Sequence, residues 1–342
     1  MRQLTFVDTG RLEWRDVAPP QLEGPAEALV TPLVVATCDL DAAIIRGRTP
    51  FSGPFAFGHE FIARVTATGP DVRTVRSGDT VIVPFQITCG ECPPCRAGHT
   101  ASCAGVEPRR SMYGLGAVVG KDWGGALSDT VRVPHADAML VPLPQDIDPL
   151  AVASCSDNLP DAWRTVVPPL EARPGASVLV VAGGAPSIGL YAAGMATGMG
   201  AEVHYVDTDA ARLSLAQAFG AAVTEGPPPR RLGRHLVTVD ASASVAGLHC
   251  AIRSTAGDGI CTSVGIYYGG EVAMPLLEMY SNSITFVTGR PSARPAIPRV
   301  LDLVQGGRFH PERVTTSVVR WDDAVDALLQ PFTKLVVERG GV

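Results

Sequence analysis

Apolar residues along this chain fall in two textures. From residue 1 to about 149 they come in short β-type runs broken by turns, of which Leu33 to Ala36 is one, and this texture predicts a β-rich first domain. From about 150 to 290, β-type runs alternate with Ala-rich helical stretches such as Ala210 to Phe219, the alternation that a doubly wound parallel sheet requires. Ser177 to Ala201 runs 25 residues without a charge, long enough to cross a bilayer. It nevertheless holds six glycines and Pro186, begins as Val178-Leu179-Val180-Val181 and leads into Val203-His204-Tyr205-Val206. The pattern is strand, glycine turn, helix, strand, and no membrane association is expected. Pro291, Pro295 and Pro298 mark a crossing at about 291, and Gly226 to Arg231, with three successive prolines, reads as a surface connection.

A length of 342 residues exceeds one ordinary core, so two domains are expected. Hydrophobic residues at 46% exclude wholesale disorder, and a net charge of −6 offers no footprint for nucleic acid. Lys121 and Lys334 are the only lysines, which leaves two candidate amines for Schiff-base chemistry. Met1 to Asp16 carries six charged side chains and no apolar core of signal-peptide length, so a cytoplasmic setting is expected.

Cysteine is where candidate chemistry begins. Cys89, Cys92, Cys95 and Cys103 form C-x2-C-x2-C-x7-C, and four thiolates on tight turns complete the tetrahedral shell that zinc accepts. Such a closed site leaves no position for substrate, so its zinc is structural. The alternatives are disulfides, disfavoured in a reducing compartment, and an iron–sulfur cluster, whose usual bacterial spacing ends differently. Nucleotide chemistry is signalled by Gly183-Gly184-Ala185-Pro186-Ser187-Ile188-Gly189, a turn into a helix that presents N–H groups to a pyrophosphate. Read as G-x-G-x-x-G from Gly184, its middle glycine is Pro186, which donates no N–H. Asp207, 23 residues after Gly184, can accept bonds from both ribose hydroxyls of NAD and repel a 2′-phosphate.

Further landmarks stand in order along the chain: Cys38-Asp39-Leu40-Asp41, Gly58-His59-Glu60, Gly78-Asp79-Thr80-Val81, the four cysteines, Gly124-Gly125-Ala126, the glycine-rich turn and Lys334-Leu335-Val336-Val337. With them the chain resembles the zinc-dependent medium-chain dehydrogenase/reductases of the alcohol dehydrogenase type over almost its whole length. The resemblance implies an α/β fold. A GroES-like domain (1–149 and 291–342) carries the structural-zinc lobe at about 86–105, and a Rossmann dinucleotide-binding domain spans 150–290. It implies a catalytic zinc on Cys38, His59 and Asp157 in the cleft between domains, with Glu60 as occasional fourth ligand and Asp41 accepting a hydrogen bond from the zinc-bound imidazole. Cys155 is a rival third ligand, but Ser156-Asp157-Asn158-Leu159-Pro160 reproduces a string of formaldehyde dehydrogenase-like members. For the cofactor it implies contacts from Gly184, Ser187, Ile188, Gly189, Asp207 and Arg212, and from Val264 and Gly265 near the nicotinamide. Asp240-Ala241-Ser242 resembles the end of another cofactor-domain strand. NAD is expected over NADP, although Arg212 matches a basic family position beside the ribose. Relatives are commonly homodimers or homotetramers.

The expected activity is hydride transfer between NAD(H) and a hydroxyl or carbonyl of a small organic substrate. Departures from the pattern qualify it. Leu40 and Ala43 stand where relatives carry Ser or Thr and a His that pass the alcohol proton outward. Asp161-Ala162 replaces Thr-Gly, and Ala63 replaces a glycine. Two other functions therefore stay open, reduction of a polarised C=C or C=N bond and catalytically idle dinucleotide binding. Phe57, Leu40, Trp163, Tyr113 and Tyr267 are candidates to line an apolar pocket.

Overall fold

The structure is a computed structural model and describes residues 1–340. Contacts among these residues divide them into two units: Met1–Pro160 with Ser292–Leu301 and residues 315–340, and Asp161–Pro291 with Asp302–Val314.

The first unit is built on a seven-stranded sheet. Its order runs Ser317–Arg320, Leu335–Glu338, Ala28–Ala36, Glu60–Thr68, Thr80–Val83, Val141–Pro142, with Val131–Val133 also paired to Ala28–Ala36. All neighbours are antiparallel except the first pair. In Ala28–Ala36 every second side chain from Ala28 to Val34 is buried, the period-2 signature of a strand with one face on the core. Pro32 sits at a register shift against Glu60–Thr68, where its missing N–H breaks no ladder bond. A smaller sheet of Arg11–Asp16, Arg2–Asp8 and Phe55–Ala56 shares this unit's core with Phe57, Phe61, Tyr113, Cys95, Cys103 and Leu335.

The second unit holds a six-stranded parallel sheet in the order Ala222–Glu225, Val203–Asp207, Val178–Ala182, His235–Ala241, Thr255–Ser263, Thr285–Thr288. Strand order reverses on either side of Val178–Ala182, which is the dinucleotide-binding arrangement. That strand is buried at all five positions, as a central parallel strand must be. The alternating texture of the sequence is realised here element by element, with Ala210–Ala218 helical as expected.

Unit boundaries differ in detail from those expected at 149 and 291, for local reasons. Residues 150–160 stay with the first unit because Ala153 packs on Val34, Ala36 and Val336 and Ser156 bonds to Phe61. Asp302–Val314 stays with the second because Phe309 meets Tyr191 edge-on and stacks at a tilt on Phe219. Among the described residues no helix is long and apolar enough to cross a membrane.

Candidate active site and nucleotide cradle

Three segments of the first unit bring Cys38, His59 and Asp157 together, with one ligand atom from each within 4.8 Å of the others. Cys38 leaves the strand Ala28–Ala36 and caps the helix Asp39–Ile45, its sulfur accepting the Leu40 N–H while Asp41 Oδ2 accepts the Cys38 N–H at 2.8 Å. This is a capping box with sulfur in place of the usual hydroxyl. His59 follows Gly58, whose φ of +88° suits glycine, and precedes the strand Glu60–Thr68. Asp157 ends the single turn Ala153–Ser156, and Ser156 Oγ stitches that turn to Phe61 by accepting its N–H at 2.9 Å and donating to its carbonyl at 3.0 Å. All three donors are buried.

Cys38 Sγ lies 3.3 Å and His59 Nε2 3.5 Å from Asp157 Oδ2. A tetrahedral zinc shell with bonds of about 2.0–2.3 Å sets its donor atoms roughly 3.3–3.8 Å apart, so these residues fit the metal. Electrostatics point the same way. Burial disfavours a charged His59, yet Asp41, Asp157 and Glu60 outweigh it and raise the imidazole to about 9. Burial, then Asp157, pushes the Cys38 thiol well above its usual range. A cation must therefore displace protons from both side chains, and apparent metal affinity is expected to rise about ten- to a hundredfold per pH unit through neutral pH. Zinc titration against a competing chelator at pH 6, 7 and 8 checks this, with a flat profile as the contrary result.

Cys155 lies outside the donor group, buried against the first unit with its thiol pushed up by burial. Asp41 is placed differently from expectation: Oδ1 is 3.9 Å from His59 Nδ1, beyond hydrogen-bond range, and both atoms are buried without a partner. Its carboxylate instead serves the Cys38 N–H. Glu60 also departs from the implied role as fourth ligand, since Oε1 accepts the Asn158 N–H at 3.0 Å and Oε2 faces Lys334 Nζ at 3.2 Å. Lys334 is fully buried and so engaged that it offers no free amine, while Lys121 lies over the Trp123 ring. Nothing in the sequence alone signals the Lys334–Glu60 pair, because its members are 274 positions apart.

The four lobe cysteines also converge. Cys103 Sγ is 3.6 Å from Cys89 Sγ and 4.0 Å from Cys92 Sγ, too far for disulfides and close to the spacing of about 3.8 Å expected of sulfurs on one zinc. Backbone N–H groups of Cys89, Cys92 and Ala104 point at sulfur. The Ala104 and Cys95 N–H groups bring Cys92 down to about 6, whereas burial pushes Cys95 up to about 12. A cation bound to the four sulfurs would make four thiolates compatible at this spacing.

In the second unit the helix Pro186–Gly198 follows the strand Val178–Ala182, and Pro186 occupies its first turn, where a missing N–H costs nothing. Pro186 is thus compatible with the helix start. Gly184 N–H and Ala185 N–H bond to the carbonyls of Ser242 and Ala241, and Gly184 packs so closely on Ala243 that a Cβ would crowd it. Ser187, Ile188 and Gly189 are in that first turn, and Gly189 lies against Ala241 on the next strand. Asp207 ends its strand as expected, but its buried carboxylate is gripped by Arg212 at 2.7 and 2.6 Å and by the N–H groups of Thr208 and Asp209. Val264 and Gly265 follow the strand Thr255–Ser263, with the Val264 N–H on Asp240 O and Gly265 beside Ala243. Asp240 gathers the hydroxyls of Ser242, Ser263 and Tyr267 at 2.6–2.7 Å, which makes Tyr267 part of a polar knot. Phe57 and Tyr113 are core residues, Tyr113 edge-on to Phe61 and donating to Arg132 O. Leu40 packs at the margin of that core and Trp163 is half-buried.

Residues 24–145 match the family model of the alcohol dehydrogenase GroES-like domain. A probable zinc-binding alcohol dehydrogenase of Mycobacterium tuberculosis is 28% identical over 95% of this chain and 83% of its own length. A glutathione-independent formaldehyde dehydrogenase of Pseudomonas aeruginosa is 32% identical over 66% of this chain and 58% of its own length. Among solved structures, the alcohol dehydrogenase TADH from Thermus sp. ATN1 superposes with a TM-score of 0.88 at 26% identity, covering 99% of this chain and all of that one. With the order of landmarks and the two folds, these likenesses show a GroES-like domain of the alcohol dehydrogenase kind in the first unit and a chain similar over most of its length to zinc-binding alcohol and formaldehyde dehydrogenases.

Proposed function

We propose that this oxidoreductase transfers hydride between NAD(H) and a hydroxyl or carbonyl carbon of a small organic molecule, with one zinc on Cys38, His59 and Asp157 and a second on the four-cysteine lobe. The convergence of Cys38 Sγ, His59 Nε2 and Asp157 Oδ2 carries the reading, because three protein donors leave a fourth position open to substrate. Zinc bound there supplies a Lewis acid for the substrate oxygen, and the nicotinamide supplies or takes the hydride. Everything else falls to the chain. Asp41 fixes Cys38 by its N–H, and Ser156 fixes the turn that presents Asp157. The helix Pro186–Gly198 turns its N-terminus toward the pyrophosphate position at the reversal of strand order. Asp207 meets the ribose hydroxyls and disfavours a 2′-phosphate, with Arg212 holding its carboxylate in place.

Leu40 and Ala43 hold no proton, and this favours a second reading in the same class, reduction of a polarised C=C or C=N bond that needs no alcohol relay. One panel separates the two. Alcohols, aldehydes, unsaturated carbonyls and imines are each offered with NAD(H) and NADP(H), nicotinamide absorbance is followed, and zinc per chain is measured. Turnover of an alcohol or aldehyde with two zincs and a preference for NAD(H) is the expected result. Turnover of unsaturated carbonyls or imines alone selects the second reading, and silence across the panel with NADH still bound selects an idle binding protein.

A homo-oligomer fits the exposed Leu276, Leu277 and Tyr280 and the edge strand Thr285–Thr288 of the parallel sheet, both of which a second copy would cover. Eight free cysteines fit a reducing, cytoplasmic setting.

A further inference from the structure

We infer that Lys334 is a positioning residue for the metal site, tying together the three segments that present Cys38, His59 and Asp157. The inference rests on the reading of those three as the metal donors. Lys334 is fully buried, and its ammonium donates to the Thr37 carbonyl and faces Glu60 Oε2 at 3.2 Å. The other oxygen of Glu60 accepts the Asn158 N–H at 3.0 Å. Thr37, Glu60 and Asn158 are the immediate chain neighbours of Cys38, His59 and Asp157. One ammonium and one carboxylate thus reach all three donor segments, each from the residue beside the donor.

The position of Lys334 is itself determined. Thr37 N–H donates to the Leu335 carbonyl at 2.9 Å, and Leu335 N–H returns to Thr37 Oγ1 at 3.0 Å. The strand Leu335–Glu338 continues that pairing along Ala28–Ala36. Thr316 Oγ1 donates to the Lys334 carbonyl and accepts its N–H. A buried ammonium is costly to desolvate and is better replaced by an apolar side chain unless its geometry is put to use. Here the use is specific. Asp41 and Glu60 are buried carboxylates beside the donor group, and the buried ammonium of Lys334 faces Glu60.

The test compares the full-length parent with Lys334→Met and Lys334→Met/Glu60→Gln, measuring zinc per chain, zinc release to a chromogenic chelator and thermal midpoint. Lys334→Met should bind the donor-site zinc about 10–100-fold more weakly while the lobe zinc is retained, the loss seen when an outer-shell partner is removed. The double variant removes the unpaired carboxylate and keeps the fold within reach of measurement. It should recover the midpoint while zinc affinity stays low. Recovery of both would overturn the inference by reducing Lys334 to a counter-charge, as would parent-like zinc affinity in Lys334→Met. A parent that holds only the lobe zinc would overturn the donor assignment and this inference with it.

Discussion

Replacing Cys38 with serine is expected to cut kcat/KM at least about a thousandfold and to lower zinc from two to one per chain, with NADH affinity unchanged. A hydroxyl is no substitute for a thiolate here, because it stays protonated far above neutral pH where the sulfur yields its proton to a metal. What remains after the substitution is His59 and Asp157. Burial opposes charging His59, but Asp41 and Asp157 prevail and hold the ring at about 9, so without the metal it is a protonated imidazole between carboxylates. That arrangement is internally neutralised and offers no electrophile to a substrate oxygen. Losing several kcal/mol of charge stabilisation in the transition state corresponds to roughly three or more powers of ten in rate. The proposed nucleotide cradle belongs to the other unit, which is why fluorescence titration of NADH should not distinguish the variant from the parent. Turnover near the parent level would mean that no metal on Cys38 takes part in the reaction.

The contrast between the two metal groups shows what kind of information the chain displays openly. The four lobe cysteines fall within fifteen residues, so spacing alone predicts their convergence. Cys38, His59 and Asp157 are separated by long stretches, and only the order of neighbouring landmarks links them before folding. Asp41 shows the limit of that reasoning. Its proximity to His59 follows from the pattern, yet its carboxylate satisfies the Cys38 N–H because that donor at the start of a helix lies closer. Arg212 was legible as a basic neighbour of the ribose position, whereas its two-point grip on Asp207 depends on a strand end and the first turn of the following helix meeting in space. Pro186 departs from the glycine motif, yet it fits the first turn of the helix, where the helix itself needs no N–H. Lys334 was visible only as part of a closing tetrapeptide, since its partners come from the other end of the chain.

Cys92→Ser is the second large effect, and its size separates a structural metal from a mere cluster of thiols. Cys92 precedes the short helix Pro93–Arg96, is only half-buried, and accepts the Ala104 N–H at 3.3 Å. Serine is nearly isosteric and can accept the same bond, so without a metal the substitution would fall within about 0.5 kcal/mol, as ordinary surface changes do. With zinc on the four sulfurs, the same change opens a closed shell and forfeits metal-binding free energy that the folded state alone enjoys. Cys95 and Cys103 pack into the core of the first unit, so loosening the lobe also exposes apolar surface there. A loss of about 3 kcal/mol would lower the thermal midpoint by roughly 6–12 °C on the scale of domains of 150–250 residues. Differential scanning fluorimetry of zinc-replete protein reads this directly, and added chelator should bring the parent down toward the variant. NADH binding at low temperature should survive in both, because the proposed cradle lies in the second unit. Equal midpoints for variant and parent would show that the lobe holds no metal that matters to the fold.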